Sequence, residues 1–147
     1  MSDTSLKKIA RPDATAELTE ALEQRILILD GAMGTTIRGY GLTEKDARGE
    51  RFKENDKDLL NNGDILSITR PDIIADIHKR FLDAGSDIVE TNSFSGTSIA
   101  QSEFFVPDPR ETGEGRKDPD FYQEVIDNPF LIDLAHEINV ELSLIHI

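Results

Sequence analysis

The sequence predicts an α/β fold with parallel strands, and three features carry that reading. Two short apolar runs, at 26–29 and 86–91, each end abruptly in polar residues. A strongly amphipathic segment at 72–84 ends at Gly85 and leads straight into the second run. Between the first run and that helix, residues 31–41 hold four glycines in eleven residues, which suits a turn from strand to helix with accessible amides.

Taken in order, residues 1–12 carry Lys7, Lys8, Arg11 and Pro12 without apolar period and read as a flexible arm. The remainder, 13–147, reads as one partial domain. Asp13 suits a cap for a helix whose narrow apolar face holds Leu18 and Leu22, so this helix needs a partner. Residues 26–29, two of them β-branched, read as a strand buried on both faces.

Residues 43–63 are dominated by charge, with Phe52, Leu59 and Leu60 as anchors, and predict a mostly irregular excursion with short helical turns. Pro71 suits a first helical position, and Ile73, Ile77 and Phe81 recur at helical spacing after it. Residues 86–91 then read as a second strand. A helix is expected over 94–105, with Ile99 and Phe105 as its apolar contacts. Residues 106–128, rich in acid, proline and glycine, read as an exposed and largely disordered insert with a helical turn at 120–126. That acid run reads as a solvated loop rather than a metal site. A last helix starts at Pro129 with Leu131, Leu134, Ile138 and Leu142 on one face. It runs through 143–147 without a stop signal, and the chain is expected to end inside its architecture.

Composition excludes several functions. With 16 basic and 29 acidic residues the formal charge is −13, which argues against nucleic-acid binding. There is no cysteine, so disulfides, thiolate nucleophiles and Cys-ligated zinc are not available from this chain. The N-terminus has no apolar leader and no run is long enough to span a bilayer, which predicts a cytoplasmic protein without membrane contact. His78, His136 and His146 lack any metal-ligand spacing and read as ordinary, partly exposed helical residues. A nucleotide loop is not supported, since neither G-x-G-x-x-G nor a P-loop lysine is present.

In parallel α/β folds ligands sit at the carboxyl ends of strands. Asp30 and Gly31 after the first run, and Glu90, Thr91 and Asn92 after the second, should therefore share one rim. A carboxylate there can bind a substrate ammonium or accept a proton. Plain strand-end solvation, or a cap on the following turn, is the alternative for both acids. Thr35, Thr36 and Ser93 add donors and acceptors of a kind common in loops.

Five segments in order support a resemblance: RILILDGAMGTT at 25–36, RGERF at 48–52, NGDIL at 62–66, RPDII at 70–74 and DAGSDIVETNSF at 83–94. Together they resemble the homocysteine-binding domain of cobalamin-dependent methionine synthase, within the wider homocysteine S-methyltransferases. The resemblance covers residues 20–103, with weaker similarity over 134–142. It implies the N-terminal part of a (β/α)8 TIM-type barrel, here incomplete, with homocysteine at the rim, its thiolate on a zinc held by three cysteines and its methyl group drawn from methylcobalamin. Asp30, Gly31, Ala32, Met33, Gly34 and Thr35 match the substrate loop after the first strand, and Glu90, Thr91 and Asn92 match the second rim segment.

The zinc cysteines of the family come from later strands. This chain is therefore expected to bind no cofactor and to be inactive alone, as a fragment whose cobalamin and folate modules lie elsewhere. Residues 106–128 are expected to be an insertion relative to the family, and 143–147 to have no counterpart in it. A non-catalytic interaction protein derived from the same domain is the alternative.

Overall fold

A computed structural model describes residues 13–108 and 119–144. Eight α-helices are found there: α1 (Thr15–Gln24), α2 (Met33–Gly39), α3 (Glu44–Arg48), α4 (Leu66–Thr69), α5 (Pro71–Asp83), α6 (Ser98–Phe105), α7 (Pro119–Asp127) and α8 (Pro129–Leu144), with a 3₁₀ turn at Gly63–Ile65. The arm at 1–12, the centre of the expected insert at 109–118 and the terminal 145–147 lie outside the described residues, as does the side chain of Leu142.

The core forms where α4, α5 and α8 meet the 43–63 excursion. Leu59, Ile65, Ile74, Leu134 and Ile138 are buried there, with Phe52 and Ala47, and Met33 and Ile37 of α2 pack against them from one side. Burying each large aliphatic contributes about 1.5–3 kcal/mol, so this cluster rather than helix propensity holds the short helices α3 and α4. Phe105 joins α6 to the cluster through a tilted contact with Phe52 at 5.4 Å and an edge contact with Phe130 at 5.3 Å.

The excursion is held by charge as well as by Phe52 and Leu59. Thr43 and Asp46 form a reciprocal capping box on α3. Glu44 accepts from the amides of Leu59 (2.9 Å) and Leu60 (2.8 Å), while Arg48 pairs with Glu44 at 2.5 Å and donates to the carbonyls of Asn55 and Lys57. Leu60 itself stays exposed. Arg51 pairs through both nitrogens with Glu137 and so ties the excursion to α8.

The largest correction concerns the strands. Neither 26–29 nor 86–91 forms a regular strand; the described residues hold a single parallel bridge, between Leu29 and Ile88. Ile26, Ile28 and Leu29 are exposed rather than buried on both faces. The physical reason is that among the described residues each run has only the other as a strand partner, and a two-stranded pair is marginal in water. An incomplete barrel therefore does not show as such in the described residues, although the parallel direction of the pair is as expected.

Three smaller differences follow the same logic. No residue of α1 is buried, so Leu18 and Leu22 lack the partner they need. α6 starts at Ser98 rather than at 94, where Thr97 accepts from the Ala100 amide, and it buries Gln101 and Ser102 while Ile99 stays exposed. The helical turn expected at 120–126 within the insert is present and extends to the full helix α7 over 119–127, because Val125 is buried where α7 packs on α6 and α8.

Candidate functional site

The rim starts at the Leu29–Ile88 bridge. The amides of Asp87 and Ile88 donate to the Ile28 carbonyl (2.9 and 3.2 Å), and the Asp30 amide donates to the Ile88 carbonyl (3.1 Å). These bonds bring the ends of two segments, about sixty residues apart in sequence, to the same edge. A β-carbon placed on Gly31 would lie 3.7 Å from the Glu90 amide nitrogen, so the two predicted loops lie against each other.

A clasp that the sequence reading missed fixes this edge from below. The Asp87 carboxylate accepts from both terminal nitrogens of Arg25 (2.7 and 2.5 Å) and from the Ile28 amide (2.9 Å). The Arg25 hydrogen bond, followed by that of Ile28, lowers the Asp87 pKa to about 2. Nothing in the spacing of residues 25 and 87 marks them as partners.

The predicted site residues divide into two groups. Asp30, Ala32, Gly34, Thr35, Glu90 and Thr91 are exposed. One oxygen of Asp30 accepts from the Gly31 amide (2.8 Å), while the Glu90 carboxylate makes no ion pair among the described residues. The Thr91 and Ser93 hydroxyls share a hydrogen bond of 2.9 Å. A β-carbon placed on Gly34 would meet no atom within 4 Å, which leaves room beside it, and only Gly41 of the four loop glycines adopts positive φ (61°). Met33, by contrast, packs against the core.

Asn92 is buried at 8% exposure and faces inward: its amide donates to the Gly63 carbonyl at 2.7 Å and approaches the Ser67 hydroxyl at 3.4 Å. Around it lies a buried polar network absent from the sequence reading. Asn62 donates to Gln101 (2.8 Å), Gln101 donates to the Ser95 carbonyl (3.0 Å), and Asp64 accepts from the Ser95 amide (3.2 Å). Burial raises the Asp64 pKa, against the opposing effect of that amide.

His78 departs from its expected exposure. It is 2% exposed, because it follows Ile74 by one turn on the buried face of α5, and its Nε2 lies 2.9 Å from the Glu90 carbonyl oxygen. His136 is exposed, and His146 lies outside the described residues.

A cleft of about 270 Å³ lies beside the rim, lined by Gly34, Ile37, Leu42, Leu60 and Leu66 with Arg38 and Asn61. It shares Gly34 with the predicted loop and takes in none of Asp30, Glu90, Thr91 or Asn92, so cleft and rim are separate features.

In α/β domains ligands bind at the carboxyl ends of parallel neighbours, and the glycine-containing and acidic loops follow such a pair, which makes this edge the candidate site. The homocysteine S-methyltransferase profile matches residues 27–115, more than half of the chain, and the chain belongs to that family; the match runs past the expected limit at 103 and takes in 106–115 of the expected insertion. The family is of TIM-barrel type, and its reaction is methyl transfer to homocysteine.

The residues present do not fit the zinc that the resemblance implies. The chain contains no cysteine, and among the described residues no group of three or more His, Asp or Glu side chains is placed to hold a metal. No helix of the described residues is long and apolar enough to cross a membrane.

Proposed function

We propose that the chain supplies one edge of the homocysteine pocket in a homocysteine S-methyltransferase of the methionine synthase type. On this reading the Asp30 and Glu90 carboxylates pair with the substrate ammonium. Gly31, Ala32 and Gly34 let the amino acid approach the backbone, and Thr35 and Thr91 offer hydroxyl donors to its carboxylate. Zinc, methylcobalamin and the folate module would be held by residues outside these 147, so the chain alone would not complete the reaction.

The observation that supports this reading is the Asp30–Ile88 hydrogen bond at the parallel bridge, which sets both family motifs at one edge. The test is equilibrium binding of labelled L-homocysteine to the native protein and its Asp30→Asn variant. Loss of a charge-assisted contact should weaken binding about tenfold or more. Unchanged affinity would return Asp30 to plain solvation at the end of its segment.

A further inference from the structure

We infer that His78 is a positioning residue for the homocysteine rim, an inference that rests on the reading of that rim given above. The ladder between the two segments explains why one is needed. In a parallel pair, the residue that accepts from Asp30 is followed two positions later by one that should accept from residue 32. Here Ile88 accepts from Asp30, and the ladder then stops, because the chain turns into α2 at Met33. The Glu90 carbonyl, next in line, is met instead by His78 Nε2 at 2.9 Å.

A carbonyl oxygen only accepts, so the imidazole donates in this contact. His78 thus takes over the role of the missing strand amide, and it does so from α5, whose Ile73, Ile74 and Ile77 are buried with it. Other ties hold the same segment on either side, nearest among them the Asp30 amide on Ile88 before it and the Asn92 amide on the Gly63 carbonyl after it. The Glu90–Thr91 peptide lies between them, and His78 is the group that fixes its orientation. Its loss frees the peptide that carries both the Glu90 carboxylate and the Thr91 hydroxyl, without removing any group that touches substrate.

Three variants of the native protein test this: His78→Gln, His78→Asn and His78→Leu. Glutamine presents an N–H donor at about the reach of Nε2, asparagine stops one carbon short, and leucine fills the space without a donor. Labelled L-homocysteine binding is measured together with the urea midpoint of each variant. The expected result is that His78→Gln binds within about twofold of the parent, while His78→Asn and, where it folds, His78→Leu bind about fivefold to tenfold more weakly.

The Gln and Asn variants are compared at similar midpoints, so a general loss of stability does not produce that split. Equal affinities in the Gln and Asn variants, whether both retained or both lost, would overturn the inference. If Asp30→Asn weakens binding while the His78 series is silent, His78 is overturned and the rim stands. If Asp30→Asn is silent as well, both fall.

Discussion

Gly85 has φ of 110°, between the last turn of α5 and the segment that carries Ile88. Side chains with a β-carbon are strained there, so Gly85→Ala should cost about 1–2 kcal/mol, even though nothing crowds the position. A lowered urea midpoint with an unchanged slope is the expected result, and an unchanged midpoint would contradict it.

This glycine was legible in the sequence because a helix, a single glycine and an apolar run leave few alternatives. Asn92 was not. Its neighbours Glu90 and Thr91 are exposed, and the Gly63 carbonyl and Ser67 hydroxyl, brought close by the fold, turn its amide inward. His78 left a usable signal, since it lies four residues after Ile74 on the face that carries the apolar period. Reading that face as a whole, rather than histidine as a polar type, places it in the core.

α5 and α8 were legible because their apolar period is their dominant feature: Ile73 and Ile77 in one, Leu131, Leu134 and Ile138 in the other, all buried. The apolar runs at 26–29 and 86–91 have the local pattern of strands, and what forms is one bridge, because a ladder depends on neighbours that local pattern does not supply. With so few ladder bonds, the Arg25–Asp87 clasp becomes a main tie between the two segments.

The pH dependence of that tie follows from the Asp87 pKa, which is depressed on folding to about 2. Its contribution is complete above about pH 4, the ordinary aspartate value, and is lost as pH falls through about 2. The urea midpoint of the native protein should therefore exceed that of Asp87→Asn at pH 5, and the gap should narrow towards pH 2. A gap that stays constant over that range would mean the carboxylate charge does not matter.

The chain combines a net charge of −13 with exposed apolar side chains in the first segment of the pair and just beyond the second: Ile26 is 89% exposed, Ile28 and Leu29 are exposed, and Phe94 is fully exposed. Charge of that size favours solubility, against which these exposed apolar side chains work. Family membership rests on the match over residues 27–115, within which no cysteine occurs.

Whether the two loops together receive homocysteine is decided most directly by hydrogen–deuterium exchange of the native protein, with and without L-homocysteine, read by peptide. The expected result is slower exchange confined to peptides covering 30–35 and 90–92, with both protected over the same range of ligand concentration. Protection of only one loop, or protection elsewhere in the chain with both loops unchanged, would contradict a shared rim.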